Sequence, residues 1–261
     1  MSNKPSLAQR ISENRFLFSE LVKRDFKKKY KRTYLGMIWS VLSPLLTLLV
    51  MRIVFTQFFG RTMEHYTIYL FCGNIIFSFF NEATSSGMQS LLANAQIFSK
   101  INVPKYLFLF SKNISSLINF GLTFGVFLIF CLIDGVTFTV YFLTLIFPII
   151  CVIVFNLGVG LILSAMFVFF RDVQYLWSVF TMLLMYMSAI FYTVSSFEPH
   201  IQKLFMLNPL YVYISYFRIA VLEGRLPDLT HHILALAYAL IAFGIGALIY
   251  KKCNHKFLYY V

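Results

Sequence analysis

Charge is scarce in this sequence. Only 12% of its 261 residues are Asp, Glu, Lys or Arg, whereas a soluble domain carries about 25%. Hydrophobic residues make up 59%, aromatic residues make up 19%, and the mean hydropathy is +0.77. This composition excludes a water-soluble globular domain, and the hydrophobic and aromatic content excludes a disordered chain. It predicts a polytopic membrane protein.

The motifs of common enzyme classes are also missing. None of the twelve glycines is followed by lysine, so the sequence contains no P-loop, and it has no GxSxG, HExxH or GxGxxG pattern. Four cysteines, Cys72, Cys131, Cys151 and Cys253, are dispersed without metal-ligand spacing and are interpreted as small apolar fillers. We therefore expect a non-enzymatic chain that holds no cofactor or metal ion.

Six windows without a charged residue are long enough to cross a membrane. A spanning helix needs about 20 mostly apolar residues, and helix is the default because hydrocarbon cannot satisfy an unpaired backbone group. The longest window is expected to include a slanted or interfacial stretch before Pro148, which can kink the helix. The sequence predicts an all-α fold with spans near 34–59, 66–90, 108–133, 139–170, 173–194 and 229–250.

Lysine and arginine are distributed unevenly between the two sides of this topology. One side receives seventeen of them, ten within 1–33, and the opposite side receives five. By the positive-inside rule, both termini are expected in the cytoplasm. The net charge of +12 is therefore interpreted as a topology signal that suits anionic headgroups, not as a signal for nucleic-acid binding. The polar, basic first residues also lack the apolar core of a cleavable signal peptide.

Two segments outside the spans carry their own patterns. Apolar residues recur at helical spacing in the N-terminal segment 1–33, opposite a basic face, which predicts an amphipathic helix on the membrane surface or against a soluble partner. The six-helix permease domain would then occupy 34–261. Segment 195–228 is too polar to cross but has apolar stretches, and it predicts two short re-entrant helices on the extracytoplasmic side.

Four stretches of the chain resemble the permeases of type-2 ABC exporters. The run Arg24–Ser40 (RDFKKKYKRTYLGMIWS), followed by Pro44, resembles the start of their first span, especially in the polysaccharide-export branch that handles O-antigen, capsule and teichoic-acid chains. Three others follow in the family's order: Leu91–Lys105, Phe169–Val173, and Asn208–Tyr211 with Arg218. The resemblance covers essentially the whole chain and agrees with the six-span topology.

The resemblance implies a homodimeric permease in a bacterial cytoplasmic membrane, with two copies of a cytoplasmic ABC ATPase that bind ATP and magnesium. Its cargo would be a lipid-linked polysaccharide. The first alternative is a permease of the same fold that exports a drug or a small lipid. The second is a secondary carrier or membrane enzyme that needs no ATPase.

The resemblance also implies a coupling helix at about Asn94–Lys105, after the second span, that fits a groove on the ATPase. Pro104 would end this helix, and an ordinary solvated loop is the alternative. Arg171 and Asp172 could join the same face or simply end the fourth helix at the interface. The residues expected at the ATPase are Asn94, Gln96, Ser99, Lys100, Asn102, Pro104, Arg171 and Asp172.

A basic cluster on the N-terminal segment would attract the pyrophosphate of a lipid-linked substrate, since lysine and arginine both bind phosphate. Its members are Lys23, Arg24, Lys27, Lys28, Lys29, Lys31 and Arg32. These charges could instead serve only orientation and contact with anionic lipid.

A channel between the subunits would be lined by aromatic rings on which sugars can stack and slide, or the same rings could face lipid. Glu82 is a sharper signal because an ionisable group at membrane depth usually faces protein or a cavity, although Glu82 could instead lie close enough to the interface to be hydrated. The predicted channel-lining residues are Trp39, Phe55, Phe59, Phe77, Phe80, Glu82, Trp177, Phe180, Tyr186 and Tyr192.

Overall fold

Every regular element that the structure describes is helical. The computed structural model describes the backbone of 7–30, 34–59, 64–100 and 103–260, and the side chains of 15–27, 34–36, 38–55, 64–100 and 103–260. The helices are α1 (Leu7–Tyr30), α2 (Trp39–Phe59), α3 (Tyr66–Ala93), α4 (Ala95–Phe98), α5 (Tyr106–Ile133), α6 (Ile146–Phe169), α7 (Val173–Met187), α8 (Pro199–Phe205), α9 (Pro209–Leu222), α10 (Leu229–Cys253) and α11 (Phe257–Tyr260). The predicted all-α membrane fold is confirmed.

Within the described residues, three helical stretches are long and apolar enough to cross a membrane on their own: Tyr106–Ile133, Val140–Phe169 and Leu229–Cys253. The second begins with a 3₁₀ segment, Val140–Leu145, before α6, which is the irregular stretch expected ahead of Pro148. The pair α8 and α9 would count as a fourth span if it is one broken crossing. The count of six spans stays a prediction.

The fifth predicted span, 173–194, is shorter in the structure because α7 ends at Met187. Ala189, two residues later, has a φ of +50°. That left-handed conformation cannot continue a right-handed helix, because its Cβ crowds the following carbonyl oxygen. The chain then reaches α8 through irregular backbone and a short 3₁₀ turn, Val194–Ser196.

The two short helices expected in 195–228 are present as α8 and α9, which meet at an angle of 105°. Each begins with proline, whose fixed φ suits the first helical position. Asn208 caps α9, since its side-chain oxygen accepts a hydrogen bond of 3.0 Å from the Leu210 amide. The sharp bend therefore has a local cause in the Asn208-Pro209 pair.

Helix α3 forms the centre of the bundle and contacts α2, α5, α6, α7 and α9. Its aromatic side chains supply much of the core. Phe71 meets Phe127 of α5 edge to face with centroids 5.4 Å apart, and Phe80 stacks on Phe155 of α6 at 5.8 Å. The predicted second span is thus buried protein interior along most of its length.

Two glycines bring α6 and α10 into backbone contact. A Cβ added at Gly158 would collide with the backbone of Ala242 and Phe243, and one added at Gly246 would collide with the carbonyl oxygen of Gly158. Small residues at such crossings are how membrane helices approach closely without a hydrophobic driving force between them. This glycine contact fixes α6 against α10.

The bundle has two distinguishable ends. The basic end, as we call it, holds the C-terminal half of α1, α4, the start of α5, the 170–172 turn and α11. The opposite end holds the starts of α3 and α10, the end of α5 and the segment from 188 to 198. There, His65 Nδ1 lies 2.8 Å from an oxygen of Asp134, which joins the start of α3 to the end of α5.

Candidate functional site

A cavity of about 480 Å³ lies between α2, α3 and α5. Three stripes of small polar residues line it, one on each helix, spaced three or four residues apart so that each stripe follows one helix face. Trp39, Phe79 and Phe120 are among its apolar walls. The polar stripes are Ser40, Ser43 and Thr47 on α2, Asn74, Ser78 and Glu82 on α3, and Ser116, Asn119 and Thr123 on α5. We call this cavity the polar groove.

Glu82 is the ionisable group of the polar groove. Its Oε1 accepts a hydrogen bond of 2.7 Å from Asn119 Nδ2. Several hydroxyls of the groove bond to their own helices, for example Thr47 to the Ser43 carbonyl at 3.0 Å and Thr123 to the Asn119 carbonyl at 3.0 Å. These hydroxyl oxygens keep acceptor capacity. The groove therefore offers hydrogen-bonding groups and aromatic faces together.

The predicted channel-lining aromatics fall into separate places. Trp39 lines the polar groove and is 40% exposed. Phe77 and Phe80 are buried inside this single chain, where Phe80 packs against the indole of Trp177 at 5.8 Å. Phe55 stacks on Phe191 with centroids 4.5 Å apart.

Phe180 and Tyr186 are exposed on α7, and Tyr192 donates a hydrogen bond of 2.8 Å to the Tyr186 carbonyl. The Phe59 side chain lies outside the described residues. The structure brings only Trp39 and Glu82 of the predicted set into the polar groove. A role for any of the predicted residues in a channel stays a prediction.

At the basic end, a buried carboxylate joins α1 to α5. Asp25 is 5% exposed, and its Oδ1 lies 2.8 Å from Arg24 Nη2 and 3.1 Å from Lys112 Nζ. Ser111 donates a hydrogen bond of 3.2 Å to the other oxygen. A buried charge is tolerated only when it is paired in this way. Asp25 therefore fixes the end of the N-terminal helix on the start of α5.

The same network reaches the segment after α3. Arg24 Nη2 donates a hydrogen bond of 2.7 Å to Asn94 Oδ1, and Asn94 Nδ2 donates one of 2.7 Å to the Ser90 carbonyl. Asn94 is only 2% exposed. Its predicted place as a contact of the ATPase is therefore corrected, because its amide is used inside the chain to position the segment. Arg24, predicted to attract pyrophosphate, is likewise paired with Asp25 and Asn94.

A coupling helix was predicted at Asn94–Lys105, and among its described residues, 94–100 and 103–105, only α4 is helical. Phe98 anchors α4 on Phe108 with centroids 6.0 Å apart. Gln96, Ser99 and Lys100 are exposed, so these three predicted contacts are accessible. Pro104 precedes α5 rather than ending α4, and Asn102 lies outside the described residues.

Lys105 connects the segment after α4 to the end of α10 and to α11. Its Nζ donates a hydrogen bond of 2.9 Å to the Asn254 carbonyl and lies 5.6 Å and 5.7 Å from the ring centroids of Phe98 and Phe257. Burial lowers the pKa of the Lys105 amino group from its ordinary value, since desolvation disfavours the charged form. The segment with α4 thus lies between α1 and the end of α10.

The remaining predicted basic-end residues are exposed or undescribed. Arg171 and Asp172 form an exposed turn between α6 and α7, with the Arg171 guanidinium 6.0 Å from the Phe167 ring centroid. Lys23 pairs with Glu20 at 2.9 Å, and Lys27 is exposed. The side chains of Lys28 and Lys29, and all of Lys31 and Arg32, lie outside the described residues.

Sequence reasoning missed most of this site. The serines, threonines and asparagines of the polar groove are common in spanning helices, and their stripes become a site only once α2, α3 and α5 are known to meet. Asp25 stands within a run of basic residues, which hid its role as the carboxylate shared by Arg24 and the distant Lys112. The signal that could have found the groove is helical spacing of polar residues in three predicted spans.

Comparison with known proteins places the chain among transporters. A family model described as ABC-2 type transporter matches residues 17–222, which include all four stretches that carried the resemblance. The O-antigen export system permease protein RfbA of Klebsiella pneumoniae is 27% identical over 249 residues, covering 93% of this chain and 95% of that protein. The protein of that name from Myxococcus xanthus is 24% identical over 255 residues, covering 96% and 97%. The polysialic acid transport protein KpsM of Escherichia coli is 22% identical over 239 residues, covering 90% and 92%.

Proposed function

Because the chain belongs to the ABC-2 type transporter family, we propose that it is the permease subunit of an ATP-driven exporter that moves a lipid-linked polysaccharide across the bacterial cytoplasmic membrane. The names of its relatives support this cargo. The structural observation that carries the proposal is the polar groove, which places three stripes of hydrogen-bonding side chains within an otherwise apolar helix bundle.

A glycan suits the polar groove better than a drug or a small lipid does. Sugar hydroxyls both donate and accept hydrogen bonds, and the serine, threonine and asparagine side chains of the groove can do the same. The CH faces of a sugar ring can stack on Trp39, Phe79 or Phe120, which also line it. A small-lipid exporter would instead need a closed apolar cavity.

Energy would come from two copies of a cytoplasmic ABC ATPase that bind ATP and magnesium on a homodimer of this chain. The basic end would face them in the cytoplasm, with both termini on that side, in keeping with its excess of lysine and arginine. Gln96 of α4 and Ser99 and Lys100 after it would contact the ATPase, as would Arg171 and Asp172. Through Asn94 and Arg24, movement of α4 would reach Asp25 and therefore α1 and α5.

The lipid-linked end of the substrate would approach along the N-terminal helix. Lys23 and Lys27 are exposed, and the remaining lysines of the cluster follow in sequence toward the membrane domain. A pyrophosphate is attracted to such a cluster by charge alone. Arg24 is the exception, because its guanidinium is engaged with Asp25 and Asn94.

The test is export by the chain reconstituted in vesicles with its ABC ATPase and lipid-linked glycan extracted from the host. We expect Asn119→Leu, which removes the amide beside Glu82, to lower ATP-dependent glycan export about tenfold, equivalent to about 1.4 kcal/mol. Assembly with the ATPase should be unchanged. The measurement is glycan delivered into the vesicle lumen per ATP hydrolysed.

The matched control is Asn113→Leu, the same change on the same helix. Asn113 is buried, its side-chain oxygen has no hydrogen-bond partner, and it does not line the polar groove. Export by this variant should stay near that of the parent. Equal export by both variants and the parent would remove the groove from the transport path. Transport by this chain alone, driven by an ion gradient, would overturn the proposed function.

A further inference from the structure

The backbone that follows α7 is irregular and deeply buried. Residues 188 to 193 have no helical structure, yet Ala189 and Ile190 are 0% and 1% exposed and Phe191 is 6% exposed. A buried carbonyl outside regular structure needs a partner, and inside a membrane no bulk water can supply one. The hydrogen bonds of this segment must therefore come from elsewhere in the protein.

Side chains supply them. Five carbonyls between 187 and 192 accept hydrogen bonds from side chains of α3, α9 and the residue that caps α9, and we call these donors the clasp. The bonds run from Asn208 Nδ2 to the Met187 carbonyl (3.2 Å), Arg218 Nη1 to that of Ala189 (2.9 Å), Arg218 Nη2 to that of Ile190 (3.0 Å), the Tyr66 hydroxyl to that of Phe191 (2.8 Å) and the Tyr69 hydroxyl to that of Tyr192 (2.6 Å).

Arg218 is the centre of the clasp. It is 7% exposed, and its guanidinium carbon lies 3.4 Å from the ring centroid of Tyr69, whose carbonyl also accepts from Nη2 at 3.3 Å. Among the described residues, no carboxylate lies within ion-pair distance of this guanidinium. Its charge is balanced by carbonyl dipoles and an aromatic face, which together favour a buried cation.

The chain is adapted to this arrangement at two positions. A Cβ added at Gly73 would lie 3.0 Å from Ile190 Cγ2 and 3.1 Å from Arg218 Nη2, so both would have to shift by a few tenths of an ångström to make room for it. Ala189 has a φ of +50°, a strained conformation for a residue with a Cβ. Such strain persists where surrounding contacts impose it, and it concentrates at sites that switch between conformations.

We propose that Tyr66, Tyr69 and Arg218 are positioning residues that hold the end of α7 closed against α3 and α9, and that their bonds to the 189–192 carbonyls must break for substrate to leave at the opposite end. This inference rests on the proposed export function. Because side chains alone make these bonds, residues 188 to 192 can be released without unwinding α3, α7 or α9.

A second cavity could accept the Tyr69 and Arg218 side chains after they leave the carbonyls of 188–192. A space of about 230 Å³ beside the clasp is lined by Tyr69, Arg218 and Glu223, together with hydroxyl side chains. Glu223 now pairs with Arg225 at 2.7 Å. In the open state, Glu223 is the carboxylate that receives the Arg218 guanidinium. Arg218 therefore has a partner in both states, the carbonyls of 189 and 190 when closed and Glu223 when open.

The test measures access to the segment directly. Ser188→Cys is a near-isosteric reporter at a position that is 0% exposed, and the native Cys72, Cys131 and Cys151 are buried as well. The full complex is placed in vesicles without ATP. A membrane-impermeant maleimide is then added on the side of the membrane that the opposite end of the bundle faces. We expect Tyr66→Phe/Tyr69→Phe, which removes two hydroxyls only, to raise the labelling rate on the order of tenfold.

Arg218→Lys, which keeps the charge but loses the forked geometry, should raise labelling as well. The control is Tyr238→Phe, which removes a hydroxyl that donates to the Met206 carbonyl at 2.9 Å, outside the clasp. Its labelling should match that of the reporter alone. Unchanged labelling in both clasp variants, or an equal rise in the control, overturns the proposal that the clasp holds the end of α7 closed.

Glu223→Gln should leave ATP-free labelling as it is and reduce the additional labelling seen when ATP and glycan are supplied. An unreduced rise overturns the assignment of Glu223 as the open-state partner. The ATP-free arm needs neither glycan nor ATP turnover. A failure of the clasp is therefore distinguishable from a failure of the proposed function, which the export assay reads separately.

Discussion

The two ends of the bundle are held by different kinds of bond. At the basic end, the Asp25 carboxylate pairs with Arg24 and Lys112, so charged side chains join whole helices to one another. At the opposite end, Tyr66, Tyr69 and Arg218 donate to the carbonyls of an irregular segment. The first arrangement ties the end of α1 to the start of α5, so that a displacement of one would carry the other with it. The second allows a few residues to open while the helices stay intact.

This contrast matches what an exporter driven from one side would need. In the proposed exporter, force applied at α4 would have to reach the membrane helices, and the Asn94 and Arg24 bonds would give it a direct route to α1 and α5. Release of cargo needs a local change instead. Three changes would break or sharpen the comparison, and they differ in expected size.

The largest effect is expected from Asp25→Ala. It leaves Lys112 and Arg24 near the start of α5 without their carboxylate, which costs about 2–3 kcal/mol of folding free energy, less than a fully buried pair because Arg24 is 40% exposed. The measurement is thermal unfolding of the purified protein in detergent. Glu20→Ala, which removes the exposed pair with Lys23, should change the unfolding free energy by less than about 0.5 kcal/mol. If both variants lost a similar amount of unfolding free energy, the buried ion pair of Asp25 would stabilise the protein no more than an exposed one does.

An intermediate effect is expected from Gly73→Ala. The added methyl group presses on Ile190 and on the Arg218 guanidinium, so labelling of Cys at position 188 without ATP should rise about fivefold, equivalent to about 1 kcal/mol. Gly87→Ala is the control on the same helix, because its Cβ would meet Gly160 at an ordinary 3.7 Å. If labelling rose to the same extent in both variants, the close contact of Gly73 with Ile190 and Arg218 would not be what keeps the 188–192 segment closed.

The smallest effect is expected from Ala189→Gly. Glycine removes a left-handed penalty of about 1–2 kcal/mol but loses about 0.5–1 kcal/mol in chain entropy and about 0.8 kcal/mol from the buried methyl group, so the unfolding free energy should change by less than about 0.5 kcal/mol. Ala165→Gly, whose methyl group is equally buried in the interior of α6, should lower it by about 1.5–2 kcal/mol. Both values come from the same thermal unfolding experiment. A loss as large as that of Ala165→Gly would mean that Ala189 carries no strain.

The helices and the bend at α8 and α9 could be predicted because uncharged windows and Asn208-Pro209 are local signals. The end of α7 could not. Ala189 is flanked by Ser188 and Ile190, so no glycine or proline beside it signals the end of a helix. The turn is imposed by Tyr66, Tyr69 and Arg218, which lie far away in sequence, and such tertiary control overrides local preference.

The candidate site divides in the same way. Glu82 could be predicted because one ionisable residue stands out in an apolar helix. Asn119, its hydrogen-bond partner, is 37 positions away and looks like any other polar residue of a span. Asn94 was expected at a partner surface and is buried, since the sequence shows that a residue is polar but not which polar group it meets.

The glycine contact between α6 and α10 has a practical consequence. Because the two backbones touch at Gly158 and Gly246, no side chain separates them that could change rotamer and let one slide over the other. This pair is therefore the natural origin for distance measurements across a transport cycle. A spectroscopic label on the lipid-facing surface of α10 would serve as the fixed reference against which displacements of α1 and α7 are read.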